Sequence, residues 1–363
     1  WPLYDRRTGP QAGPAATGSE TMTTRDHQIL NALPYPLVLL GADQRIVAMN
    51  PPAVERLGAG LIGRSYVSLR QPALLDCIEQ VFRTGQAGRT RYPGTGLDRD
   101  RTWSVLAAPL PEGILVSFED VSELEQAGQA RRDFVANVSH ELKTPLTAML
   151  GFIETLRGAA RDDATARERF LGIMQREAER MNRLVNDLLS LSRVESDERM
   201  RPTAEIRLGD LVQSVIASLR PVAEPLGVTI DIDCSVDSQT IVRGDADQLT
   251  QVFFNLIDNA VKYGRDGKRV QVHMERVSRD SSLRGPAYHV TVQDFGPGFD
   301  PIHIPRLTER FYRVDSHRSR EMGGTGLGLA IVKHIVNRHR GRFRIESTPG
   351  NGACFTVSLP AVA

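Results

Sequence analysis

Apolar residues recur along this chain with three different periods. In the first stretch, Leu37, Val38, Leu39 and Leu40 run into the turn Gly41-Ala42-Asp43, and Ile46-Val47-Ala48-Met49-Asn50 follows with the texture of a strand. Helical spacing from Leu74 to Phe82 and two strand-like runs, Thr102 to Ala108 and Gly113 to Phe118, complete a small α+β unit. From about Val121 the period becomes helical and stays so to residue 157, with Pro145 as the only interior proline. In helical conformation that stretch is about 54 Å long. Gly158 and Asp162-Asp163 mark a reversal, and Thr165-Ala-Arg-Glu168 has the form of a capping box for a second helix. That helix carries Phe170, Ile173, Met174, Met181, Leu184, Val185, Leu188 and Leu191 at spacings of three and four. An αα-hairpin results, and two helices alone leave its apolar stripe uncovered. Pairing with a second copy into a four-helix bundle is the simplest remedy, so the pattern predicts a homodimer.

Beyond about Met200 the texture is α/β. Val228, Ile230, Ile232 and Cys234 alternate with Thr229, Asp231 and Asp233, the period of a half-buried strand. Val270, Val272 and Met274 repeat that alternation, as do Phe355, Val357 and Leu359, and helical patterns cover 209–220, 246–263 and 325–339. The predicted organisation is multidomain α+β: a disordered lead-in over 1–23, an α/β module over 24–120, a helical hairpin over 121–198 and an α/β domain over 203–363. The lead-in rests on composition, since it is rich in Gly, Pro, Ala, Thr and Ser.

Charge and composition narrow the function. Forty-five basic residues against forty-four acidic give a net charge of +1, which argues against a nucleic-acid binder. No apolar run is long enough to span a membrane. Three dispersed cysteines, Cys77, Cys234 and Cys354, match neither a zinc site nor a redox pair and suit a reducing compartment. Lysine occurs only at positions 143, 262, 268 and 333, and three of these four fall within or beside the motifs below.

The first of those motifs is Phe134-Val-Ala-Asn-Val-Ser-His140-Glu-Leu-Lys-Thr-Pro145-Leu. Glu141 adjoins the histidine, and Thr144 lies four residues on, along the same helix face. Pro145 removes the backbone hydrogen bond to the carbonyl of Glu141 and gives the helix a bending point. A neutral imidazole is a competent nucleophile near neutral pH. The plain alternative is a solvated helix face.

A second constellation lies in the last third. Asn255, Asn259 and Lys262 share one face of a predicted helix, and Tyr263 ends it. Amide oxygens suit Mg²⁺, an ammonium suits phosphate oxygens, and an aromatic ring suits a base. The same polar face equally suits the wet side of an amphipathic helix. Asp294-Phe-Gly296-Pro-Gly298 follows a strand, and its aspartate is placed to accept a hydrogen bond from an exocyclic amine. Gly323-Gly324-Thr325-Gly326-Leu327-Gly328 opens a helix, the arrangement of an anion cradle. No Lys-Ser/Thr follows as in a P-loop, and the strand context of a dinucleotide fingerprint is missing.

Taken together, these motifs resemble those of the sensor histidine kinases. The resemblance covers about 125–363. It implies that His140 is the phosphorylated nucleophile, Glu141 its acid/base partner, and Thr144 the residue that positions water for dephosphorylating a partner. The last third resembles the α/β-sandwich ATP-binding domain shared by histidine kinases, gyrase-type topoisomerases and ninety-kilodalton heat-shock chaperones. That likeness makes Asn259 the leading Mg²⁺ ligand with Asn255 near the metal. It sets Lys262 on the phosphates, Tyr263 on the nucleotide and Asp294 on adenine. Gly296, Gly298, Gly324, Thr325, Gly326, Leu327 and Gly328 shape the phosphate region. Phe311, within Arg310-Phe-Tyr-Arg313, belongs to an aromatic box, and Arg318 and Arg320 in the following lid are γ-phosphate contacts. Where the hydrolytic relatives use a glutamate, this chain has Asn255, which cannot act as a base, and this favours transfer to a protein.

Pro36-Leu-Val-Leu-Leu-Gly-Ala-Asp43, Ile46-Val-Ala-Met-Asn50-Pro-Pro-Ala53 and the junction Glu119-Asp-Val-Ser-Glu123 resemble a PAS domain. The string from Tyr312 to Gly326 is most similar to the phosphate-regulon branch of the family. The resemblance further implies a homodimer, the receiver domain of a response regulator as partner, and ATP with Mg²⁺. It also implies phosphatase activity and a cytoplasmic portion anchored in the inner membrane through an upstream segment.

Overall fold

The computed structural model describes residues 24–94, 99–196, 200–234, 240–315 and 324–362. The lead-in, Arg318 and Arg320 lie outside them. Two compact units divide between Arg132 and Asp133.

The first unit is built on one antiparallel sheet. Helix α1 (Thr24–Ala32) precedes strands β1 (Leu37–Gly41) and β2 (Ile46–Met49), then come α2 (Pro51–Leu57) and α3 (Pro72–Thr84), and β3 (Gly88–Pro93), β4 (Thr102–Leu110) and β5 (Gly113–Asp120) close it. The strand order is β2-β1-β5-β4-β3. Val38, Leu40, Val105, Val116 and Phe118 are fully buried, and α3 packs Leu74, Ile78 and Val81 into the same core. Asn50 explains why a polar residue stands at zero exposure there. Its Oδ1 accepts from the amides of Leu37 and Ala53 at 2.8 and 3.1 Å, so it caps α2, while its Nδ2 donates to the carbonyl of Tyr35 at 2.8 Å. All its hydrogen-bonding capacity is spent on backbone, which offsets the desolvation of burial.

Helix α4 (Ser122–Arg157) runs unbroken through Pro145, and α5 (Ala164–Ser196) returns beside it. Phe152 and Phe170 stack across the hairpin at 5.2 Å. The cap of α5 differs from the expectation. Asp163, not Thr165, accepts the Ala166 amide, at 2.9 Å, because the helix begins two residues earlier than the capping-box pattern places it. Leu146, Leu150 and Ile153 on α4, and Leu171, Val185 and Leu189 on α5, remain exposed.

After β6 (Ala204–Arg207) the chain forms α6 (Leu208–Ala223), β7 (Thr229–Cys234), β8 (Ile241–Gly244) and α7 (Ala246–Tyr263). The long strands β9 (Arg269–Asp280) and β10 (Gly285–Asp294), helix α8 (Gly328–Arg338), and strands β11 (Arg342–Ser347) and β12 (Ala353–Pro360) complete the unit. The sheet order is β11-β12-β10-β9-β7, antiparallel except where β7 joins β9, and β6 pairs with β8 separately. Helix α7 carries the burden of the core. Leu249, Val252, Phe253, Leu256, Ile257, Ala260 and Val261 follow the 3.6-residue period and all are buried. Asp245 caps it by accepting from the amides of Asp247 and Gln248. The buried His339 ties that cap to α8: its Nε2 accepts from the Asp245 amide at 3.0 Å, so Nδ1 donates to the Ile335 carbonyl at 2.8 Å. Burial pushes the His339 pKa down, which keeps the ring in that neutral form.

The polar strands β3, β6 and β11 escape sequence reading because edge and two-stranded elements bury little and so do not alternate clearly. Helix α8 starts three residues later than predicted, because Gly326 at φ +74° is not helical. Among the described residues no helix is long and apolar enough to cross a membrane.

Candidate active site

His140 sits exposed on α4, and the Thr144 hydroxyl donates to its backbone carbonyl at 3.1 Å. The imidazole lines an open cleft of about 490 Å³. Asn137, Glu141 and Thr144 of α4 and Arg180 of α5 form one wall, and Phe311, Tyr312 and Arg313 form the other. The hairpin and the α/β domain therefore meet at the histidine. Phe134 faces Phe311 at 5.9 Å between ring centroids, which holds the aromatic segment against α4.

Glu141 does not stand free beside His140. Its Oε2 accepts from Arg180 at 2.5 Å and from Arg313 at 3.3 Å. Both guanidinium groups are largely buried, with side-chain exposures of 14% and 8%. Arg313 also donates to the carbonyl of Gly324 at 2.8 Å. One side chain thus bridges the helix of the histidine and the glycine-rich loop. Charge-assisted bonds of this kind are roughly twice as strong as neutral ones.

The nucleotide motifs converge around α7. Asn255 and Asn259 lie one turn apart, and both are half-buried. The start of α8 lies against Asn255: a Cβ on Gly328 would fall 3.6 Å from its side chain. Asn255 Nδ2 is buried and has no hydrogen-bond partner among the described residues. Lys262 is paired with Asp258 of its own helix at 2.5 Å. Just past Tyr263 the chain touches the next motif, since a Cβ on Gly264 would fall 2.4 Å from the Asp294 Cβ. Asp294 is 5% exposed, and its Oδ1 accepts from the Gly296 amide at 3.0 Å. Burial raises its pKa, opposed by the backbone donors of Gly296 and Ala353.

The loop residues divide by role. Gly326 packs on Phe311, whose amide donates to its carbonyl at 2.8 Å. Thr325 Oγ1 donates to Asp187 of α5 at 2.7 Å and accepts from the Leu327 amide at 3.3 Å. The Leu327 side chain is fully buried in the core, which leaves only its backbone to face a ligand. Gly298 has φ +61°, and a Cβ there would fall 2.3 Å from the Thr348 carbonyl oxygen. We expect Gly298→Ala to destabilise the domain by ~1–3 kcal/mol, since neither the φ nor the backbone contact can relax cheaply. Differential scanning calorimetry checks this, and an unchanged melting temperature would contradict it.

Sequence reading missed Arg180, Asp187, Glu195 and Asp258. Arg310 donates to Glu195 at 2.5 Å, another link from the aromatic segment to α5. Arg180, Asp187 and Glu195 have no local signal, since a paired charge and a solvated one look alike in sequence, whereas Asp258 has one in Lys262, four residues on along the same helix. Arg313 was visible only as the last residue of the aromatic box.

A helical hairpin presenting a histidine toward an α/β domain with glycine-rich loops defines a phosphoacceptor and nucleotide-binding class of protein. Residues 130–197 match the His Kinase A (phospho-acceptor) domain family, and residues 244–363 match the histidine kinase-, DNA gyrase B- and HSP90-like ATPase family. The chain belongs to the sensor histidine kinases. It is similar to the phosphate regulon sensor protein PhoR of Pseudomonas aeruginosa, 43% identical over 244 residues, or 67% of this chain and 53% of the relative. It is also similar to the sensor protein kinase WalK of Staphylococcus aureus, 39% identical over 252 residues, or 68% of this chain and 58% of the relative. The chain therefore spans little more than half the length of these curated relatives. The crystal structure of histidine kinase ThkA in complex with response regulator protein TrrA shares the fold. Its TM-score is 0.51 at 22% identity, covering 92% of this chain and 98% of that one.

Proposed function

We propose that the chain phosphorylates His140 from Mg·ATP and passes the phosphoryl group to an aspartate in the receiver domain of a response regulator. The observation that carries this reading is the cleft itself, where His140 and Glu141 face Arg313, which in turn holds Gly324 of the glycine-rich loop. In the reaction a ring nitrogen of His140 attacks the γ-phosphorus, the bond to the β-phosphate oxygen breaks, and ADP departs. Glu141 takes the proton from the other ring nitrogen once its pairs with Arg180 and Arg313 loosen. Phosphoryl transfer asks mainly for positioning and charge neutralisation, which buried arginines supply well.

The donor set fits the nucleotide. The unpartnered amide nitrogen of Asn255 awaits an acceptor, and the amide oxygens of Asn255 and Asn259 are hard donors that suit Mg²⁺. When bound, the metal neutralises phosphate charge. Lys262 would reach phosphate oxygens after leaving Asp258, Tyr263 would pack on the nucleotide, and Asp294 would accept from the adenine amine. Thr144 would orient water for the reverse, phosphatase function. The exposed apolar positions of α4 and α5 support a homodimeric four-helix bundle. The five-stranded antiparallel sheet of the first unit supports a PAS-type sensor over residues 24–120. The similarity to PhoR supports phosphate limitation as the stimulus.

Incubation with γ-labelled ATP and a panel of receiver domains tests the reading. Acid-labile label should appear on the chain and then move to one receiver within minutes. Steady release of inorganic phosphate with no labelled protein would overturn it.

A further inference from the structure

Helix α5 places an anion where the proposed site wants a phosphate. Asp187 is half-buried on α5, facing the loop before α8, and its Oδ2 takes the only hydroxyl proton of Thr325. Positive charge from Arg183 and Lys262 reaches the same carboxylate, and Asp258 pairs with that lysine. Burial raises the Asp187 pKa, so the desolvated carboxylate depends on these few partners. Thr325, Lys262 and the N-terminus of α8 are also the groups assigned above to nucleotide phosphates. Helix N-termini favour anions, and here a side chain of the protein already supplies one.

We infer that Asp187 is a positioning residue through which helix α5 competes with nucleotide phosphate for the Thr325 hydroxyl. The inference rests on the nucleotide site proposed above. Two anions cannot share one hydroxyl proton without repulsion, so nucleotide binding and the α5 contact oppose each other. By reciprocity, a bound nucleotide loosens the grip of the hairpin on the loop as much as the grip weakens the nucleotide. The loop is thereby held ready in the empty protein and is released when the phosphates arrive. Glu141 on Arg313 makes a parallel link, since Arg313 also holds the carbonyl of Gly324, the residue before Thr325.

The test is titration calorimetry of the whole chain with Mg·AMPPNP. Asp187→Asn keeps an acceptor for Thr325 but removes the charge, and Asp187→Ala removes both. Both variants should bind nucleotide about 5- to 10-fold more tightly than the parent, whereas Asp187→Glu, which keeps the charge, should stay near the parent. The same factor should appear in KM for ATP and not as a rise in kcat, a split that a merely structural residue would not produce. Affinity unchanged or weakened in both Asn and Ala variants, with the parent binding normally, overturns the role of Asp187 alone. A parent that binds no nucleotide at all overturns the proposed function as well.

Discussion

His140→Gln will bind Mg·ATP as the parent does and will carry no acid-labile label, a loss of more than about 1000-fold in phosphorylation rate. The amide nitrogen of glutamine has no available lone pair, so it cannot replace the imidazole as nucleophile. The substitution leaves the fold intact for concrete reasons. The His140 side chain is exposed, Thr144 bonds its backbone carbonyl and not the ring, and glutamine is a good helix former. The proposed nucleotide site lies on α7 and the loops around Asp294 and Gly326, none of which contains this residue. Filter-bound radiolabel before and after acid treatment measures the effect. Label that persists in the variant would place the phosphoacceptor elsewhere and remove the foundation of the functional reading.

Asn259→Ala is expected to weaken Mg·ATP binding by about 10- to 100-fold, the range typical for loss of a group that orients a metal. Alanine cannot supply the amide oxygen, yet it suits the interior of a helix better than asparagine does. Asn259 lies on the half-buried polar face of α7, while Phe253, Leu256, Ile257, Ala260 and Val261 anchor the opposite side. The helix should therefore hold its place, and the far-ultraviolet spectrum should not change. Calorimetric titration with and without Mg²⁺ separates the metal from the nucleotide. An affinity within twofold of the parent would show that Asn259 is only a solvated helix residue.

These two residues were legible because their motifs are local. His140, Glu141 and Thr144 lie within five positions, and a helix brings them to one face without help from the rest of the chain. Asn255, Asn259 and Lys262 follow the same logic on α7. The alternation of β7, β9 and β12 and the apolar period of α7 likewise record burial on one side of an element, which the sequence must repeat at the period of its geometry. The cap of α5 and the start of α8 were misplaced by two and three residues, because the Asp163 cap bond and the positive φ of Gly326 do not show in hydrophobic pattern.

What sequence alone determined, then, is most of the core-facing elements, the identity of the candidate nucleophile and the chemistry of the candidate nucleotide donors. Tertiary structure decided which charges meet. Arg180 and Arg313 converge on Glu141, Arg310 reaches Glu195, and Asp187 takes Thr325, each pair joining residues far apart in the chain. Periodicity reports whether a position faces a core, since burial of apolar area acts on every turn of an element. It carries no record of which distant partner a polar side chain will find, because a single ion pair leaves no repeat to read.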